Sequence, residues 1–208
     1  MIFEPYLIQK QYWPQEGRHI LAHYDSTSIY VYQAYPLNIA QYAVEHQTFG
    51  GEFRYERMSW IKPNFLWMMY RSGWAQKEGQ ERILAIKISQ EFFEVLLERA
   101  VWSSFHAKYG THDAWKLQIA CSLVRLQWDS DHIPTGDKEN RRALQLGLRG
   151  HMLQEYGQQQ IEEIVDVTSF VAEQRNNIKD VDRLVLPKER AYRPKSLKAI
   201  ENVELDRC

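Results

Sequence analysis

The chain has 208 residues, with Lys and Arg totalling 26 against 27 Asp and Glu, a formal net charge of −1 and two cysteines. That length suits one domain with a sizeable core, the charge balance excludes a wholly basic nucleic-acid binder, and two cysteines exclude a disulfide framework or a Cys-rich zinc site. No apolar run approaches the ~20 residues that span a bilayer, and Met1 to Lys10 lacks the pattern of a signal peptide, so a cytoplasmic protein without a membrane partner is expected.

In chain order, the first 28 residues read as loops with one short strand near Tyr6–Gln9. Ile29 to Tyr35 is rich in β-branched and aromatic residues and predicts a strand. Pro36 suits the start of a helix running to Gln47, with Gly50-Gly51 ending the element. Pro63 and Gly73 bracket a second helix over Pro63 to Ser72. Ile83 to Ser89 predicts a buried strand, and Ser89 the N-cap of a helix carrying Phe92, Phe93, Leu96, Leu97, Ala100 and Val101. His112 to Trp128 starts helically and alternates from Ser122 onward, which predicts a strand. Asp129 to Asn140, with Pro134 and Gly136, reads as a polar loop. A half-buried strand over Arg142 to Leu148, a helix over Gly150 to Gln159, a strand over Ile161 to Val167 and a last short helix capped by Thr168 complete the series. From Asp180 onward the chain is polar and locally basic, so residues 180–208 read as an extended tail behind a single domain over 1–179. Strands following one another through loops predict an α+β fold with a mixed, mainly antiparallel sheet and flanking helices.

Four segments carry candidate chemistry. Between Arg57 and Lys77 lie four basic residues and no acidic one, interleaved with Trp60, Phe65, Trp67, Tyr70 and Trp74. Cations beside aromatic faces suit phosphates and stacked bases. Lys62, Trp67, Arg71, Ser72 and Trp74 are therefore candidate site residues, the plain alternative being core aromatics with cations at a helix end. On the strand, Tyr32, Gln33 and Tyr35 are candidates, because a glutamine among aromatics is costly to bury without hydrogen bonds. Asp129 stands at a strand end, with Asp131 and His132 close by for acid–base work. Gln145 and Arg149 flank Gly147 and Gly150, and the helix start at Gly150 is a weak anion-site signal. No metal is expected: His19 and His23 are four apart, but Ile20 stands where a zinc-protease helix has Glu. Cys121 reads as a small buried hydrophobe.

At these segments the chain resembles an uncharacterised family, the domain of unknown function numbered 4291, found in bacteria and fungi. The residues that carry the resemblance are Val31 to Tyr35, Ser59-Trp60-Ile61-Lys62-Pro63 through Met69 to Trp74, Val124 to Asp129, and Gln145 to Gly150, within a match from about Tyr6 to Val171. After Asp129 the chain has Ser130-Asp131-His132 where a Pro-Glu-Arg-like continuation is expected. The resemblance implies no established reaction and no assigned catalytic residues. A looser likeness, at fold level, is to ADP-ribosyltransferases and RNA 2′-phosphotransferases, which hold NAD or an ADP-ribosylated intermediate in a split mixed sheet, although their His-Tyr-Glu and Arg-Ser-Glu sets have no clear copy here.

The functional expectation is a nucleotide- or RNA-acting enzyme using NAD, with Gln33, Arg71 and Asp129 in catalytic roles and Tyr32, Tyr35, Lys62, Trp67, Ser72, Trp74, Gln145 and Arg149 binding the cofactor. The alternatives are a non-catalytic nucleotide- or RNA-binding module and a structural or interaction protein.

Overall fold

The structure is a computed structural model and describes residues 1–207. In chain order the elements are β1 (Phe3–Pro5), α1 (Tyr6–Lys10), β2 (Gly17–Arg18), β3 (Ile20–Ala22), β4 (Ser28–Tyr35), α2 (Leu37–His46), β5 (Ser59–Ile61), α3 (Phe65–Ser72), β6 (Arg82–Ser89), α4 (Gln90–Arg99), β7 (Val101–Trp102), α5 (His112–Cys121), β8 (Val124–His132), β9 (Lys138–Leu148), α6 (Gly150–Gln159), β10 (Ile161–Asp166), α7 (Thr168–Arg175), β11 (Val185–Pro187), β12 (Arg190–Tyr192) and α8 (Leu197–Val203). The fold is α+β. None of the described helices is long and apolar enough to cross a membrane.

Two sheets organise it. One is antiparallel, in the order β10-β6-β4. The other runs β2-β9-β8-β7, mixed in direction, with β5 also pairing antiparallel to β9. They meet at one point just past β5, where Tyr32 N–H donates to Lys62 O (2.7 Å) and Lys62 N–H to Tyr32 O (3.2 Å).

Strand period explains the packing of β4. Tyr30 and Tyr32 face a core shared with Phe65, Leu66, Met68 and Met69 of α3 and with Leu184 and Leu186. Val31 faces the other core, built around α4, α6 and the inner face of β8 and β9. Local capping fixes the helices. Asn64 Oδ1 accepts from Trp67 N–H (2.6 Å) at the start of α3, and Gly73, at φ 59°, closes its end. Ser89 Oγ accepts from Phe92 N–H at the start of α4 (3.1 Å).

The structure departs from expectation in six places. Tyr6 to Lys10 is a helix rather than a strand, because Tyr6 and Gln9 share one buried helical face behind Pro5. Helix α2 ends at Gln47, which takes the left-handed conformation at φ 55°, before Gly50-Gly51. Thr168 is the first residue of α7 rather than its cap, and its Oγ1 accepts from Ile83 N–H (2.9 Å), pinning the helix to β6. The loop read over Asp129 to Asn140 is mostly strand: β8 runs on to His132 and β9 begins at Lys138. Its polar residues tolerate the sheet because Asp131 is paired with Arg141 and His132 is stacked on Tyr70 at 3.5 Å. Finally, the stretch read as a tail carries regular structure through Val203. β11 pairs with β1, β12 pairs with β3, and α8 packs on α4. Glu94 holds it down, accepting from Tyr192 Oη, Lys195 N–H and Ser196 N–H at 2.9 Å each. Cys121 is exposed rather than buried, at the end of α5, a helix with no buried residue.

Candidate functional site

The sheet junction opens into a cleft. Its inner lobe, of about 480 Å³, is lined by Gln33 and Tyr35 of β4, Ser59 and Trp60 of β5, Lys62, Arg71 of α3, Gln127 of β8 and Gln145 of β9, with Arg57 at the mouth. An outer lobe of about 730 Å³ continues past Tyr35, Phe53, Arg54 and Arg57 to the start of α2. Each lobe has the size of a small-molecule site.

The electrostatics of the inner lobe are one-sided. Arg57, Lys62 and Arg71 line it without a carboxylate, and among the described residues none of the three makes an ion pair or a side-chain hydrogen bond. Arg57 and Arg71 are exposed, whereas Lys62 is only 5% exposed. Burial, reinforced by the charge of Arg71 and opposed by that of Asp129, pulls the Lys62 amine down to about 8.

Two hydrogen-bond networks set the walls. Gln33 is the hub of the first. Its Nε2, with two hydrogens to donate, lies within hydrogen-bond reach of Tyr35 Oη (2.7 Å), Ser59 Oγ (2.8 Å) and Trp60 O (3.3 Å), and its Oε1 accepts from Tyr156 Oη of α6 (2.8 Å). A hydrogen bond between Tyr35 Oη and Ser59 Oγ (2.8 Å) closes the ring. Gln33 is thus satisfied, as burial demands, and it ties β4, β5 and α6 together. The second network centres on Asp129. Gln127 and Gln145 are directly paired across β8 and β9, and their Nε2 groups donate to the two oxygens of Asp129, at 2.7 Å each. A carboxylate accepts only, so each amide must turn its N–H₂ toward Asp129. Gln145 Oε1 is thereby left as an acceptor.

Gly147 lets the floor form. It pairs with Trp60 in the ladder, and a Cβ there would lie 2.7 Å from Met58 Sδ and 3.0 Å from the Trp60 ring. Gly147→Val is expected to displace Trp60 and cost about 1–3 kcal/mol. Tryptophan emission and melting temperature check this, with the far-ultraviolet circular dichroism retained.

A family model described as a domain of unknown function (DUF4291) matches residues 19–192. The chain belongs to the DUF4291 family. No curated protein matches it. The family span runs from just before β3 to the end of β12, so it takes in every residue lining both lobes of the cleft.

Of the residues singled out from sequence in this DUF4291 chain, the fold brings Gln33, Tyr35, Lys62, Arg71 and Gln145 into the inner lobe, with Asp129 bonded to its wall. The other five lie elsewhere. Tyr32 points to the opposite core and packs edge-on against Phe65 at 5.3 Å. Trp67 is buried on the far side of α3, stacked parallel to His132 at 5.4 Å. Ser72 is fully buried and its Oγ donates back to Met68 O (2.9 Å), the common fate of a mid-helix serine. Trp74 is buried with its indole N–H on Pro134 O (3.2 Å). Arg149 donates to Ser122 O (2.7 Å) and to Ala120 O, so it serves the negative end of α5 rather than an anion at the start of α6. Tyr35 lines the cleft but its ring packs edge-on against the stacked pair Phe49 and Phe53, at 5.4 and 5.8 Å, and Trp60 is the indole that lines the inner lobe. Sequence reasoning passed over Arg57, Ser59, Trp60, Gln127 and Tyr156 as site residues. Gln127 was legible as the partner of Asp129 on the same face of an alternating strand; Tyr156 carried no local signal.

Proposed function

We propose that the cleft binds a nucleotide through its phosphates, and that the protein acts on nucleotides or RNA with a site of the NAD-binding, ADP-ribosyltransferase-like kind. The observation that carries this reading is the convergence of Arg57, Lys62 and Arg71, none with a carboxylate partner, on one lobe. Three cations that line one lobe without an ion-pair partner repel one another unless an anion joins them. The residues fit a dinucleotide. Arg57 and Arg71 would hold the pyrophosphate, Trp60 would stack a ring, and Gln145 Oε1 would accept from a ribose hydroxyl or an amide. The outer lobe has room for the second half. Asp129, oriented by two amides, is the carboxylate available to stabilise positive charge on a sugar carbon, and Gln33 acts as a positioning residue because its amide is already saturated. A non-catalytic binding module is the second reading, favoured by the fact that both Asp129 oxygens are engaged.

Thermal stabilisation tests the proposal, with NAD, ADP-ribose, ATP, GTP, inorganic pyrophosphate and a short RNA. A ligand at 100 times its dissociation constant adds about 2.7 kcal/mol. The shift is expected with NAD or ADP-ribose and is expected to vanish in Arg57→Ala/Arg71→Ala, whose exposed positions leave the fold intact. A shift with RNA alone, steeply weakened by salt, would favour the binding module. No shift with any of the six would overturn the reading.

A further inference from the structure

Two hydroxyls and one amine line the inner lobe, and their availability differs. Ser59 Oγ and Tyr35 Oη are bonded to each other and to Gln33. Arginine cannot lose its proton at physiological pH. Lys62 is the remaining nucleophile among the described lining residues: nine-tenths buried, aimed into the lobe, and without a side-chain partner. A buried ammonium with no direct ion-pair partner is expensive, and the group responds by releasing its proton more easily. As a fixed phosphate anchor Lys62 is redundant beside two exposed arginines. At the floor of an anion site, an amine that releases its proton this readily is well placed for covalent chemistry.

We propose that Lys62 is the nucleophile of this cleft and forms an imine with the carbonyl carbon of a phosphorylated aldehyde or ketone, the phosphate seated on Arg57 and Arg71. The inference rests on the phosphate-binding reading above. In the first step the Nζ lone pair forms a bond to the carbonyl carbon, the π pair moves to oxygen, and a proton passes from nitrogen to oxygen. In the second, the nitrogen pair forms the C=N bond, the hydroxyl takes up a proton and leaves as water, and nitrogen loses its last proton. One water is released and nothing is oxidised or reduced. Asp129, whose charge Lys62 feels, is the nearby base for these transfers.

The probe is pyridoxal 5′-phosphate, a phosphorylated aldehyde, followed by borohydride reduction and peptide mass mapping. With the amine at about 8 rather than 10.5, the free-base fraction at neutral pH is roughly 300-fold that of an ordinary lysine. Saturable labelling at Lys62, ahead of every other lysine and blocked by pyrophosphate, is expected. Lys62→Arg should lose the adduct while keeping pyrophosphate stabilisation, which separates nucleophile from charge. Labelling spread evenly over surface lysines would overturn the proposal. Acetic anhydride, small and uncharged, separates the two ways of failing. If it modifies Lys62 with a midpoint near 8 but the phosphorylated aldehyde shows no preference, the phosphate site is wrong. If pyrophosphate stabilises the protein but neither reagent favours Lys62, the nucleophile is wrong.

Discussion

A chain ending at residue 179 is expected not to fold. The removed segment carries Leu184, Leu186, Tyr192 and Val203, each at most 4% exposed and divided between the two cores. At about 1.5–3 kcal/mol per buried large side chain, their loss is worth roughly 6–12 kcal/mol, the size of a domain's whole stability. Polar losses add to this. Glu189, buried and pushed well up by desolvation, accepts from Phe65 N–H (2.7 Å) at the first turn of α3, the helix that carries Arg71. Truncation therefore bares the start of that helix as well as the cores. Near-ultraviolet circular dichroism and resistance to proteolysis check this: a cooperative, protease-resistant 1–179 chain would show that the segment is an appendage after all.

This segment also shows where sequence reasoning stops. Its apolar residues are sparse, and a surplus of lysine and arginine looks like a solvated tail. What folds it is remote: Glu94 on α4 accepting from Tyr192, Lys195 and Ser196, and Asn202 Nδ2 donating to Leu97 O and Ala100 O at the end of α4. By contrast β4, β6, α3 and α4 are legible because their signals are local, in apolar period and in caps such as Ser89 and Gly73. The cleft is legible to the same degree. The acid-free run from Arg57 marks its cations, and the cost of burying Gln33 requires the hydrogen bonds that Tyr35, Ser59 and Tyr156 supply. Tyr32, Ser72 and Trp74 sit among those marks yet are core, because one sequence position cannot say which of two faces meets solvent. The extension of β8 past Asp129 was hidden for a related reason. Asp131 is tolerable in a strand only through Arg141, ten residues away on β9.

That pair supports the second large prediction. Arg141 Nη2 and Nε meet Asp131 Oδ2 at 2.6 and 2.8 Å, with the side chains 4% and 1% exposed, and Arg141 Nη1 reaches Pro14 O (2.5 Å). Trp13 lies beneath the guanidinium at 5.3 Å. Removing one partner of such a pair strands the other charge, so Arg141→Met is expected to cost about 3–5 kcal/mol at neutral pH. Asp131→Leu/Arg141→Met removes both charges and is expected to regain most of that. The pH dependence follows in sign. Burial already holds the Asp131 carboxyl above its ordinary value, and loss of Arg141 takes away the main opposing influence. A raised acid binds its proton more readily folded than unfolded, so its contribution is full below the unfolded value near 4 and falls away as pH rises through the folded one. The deficit of Arg141→Met should therefore shrink as pH drops toward 4. Urea denaturation of the two variants across pH 4–8 measures this. A deficit that stays constant with pH, or a double variant no more stable than the single, would mean that Arg141 stabilises through Trp13 and Pro14 rather than through the charge of Asp131.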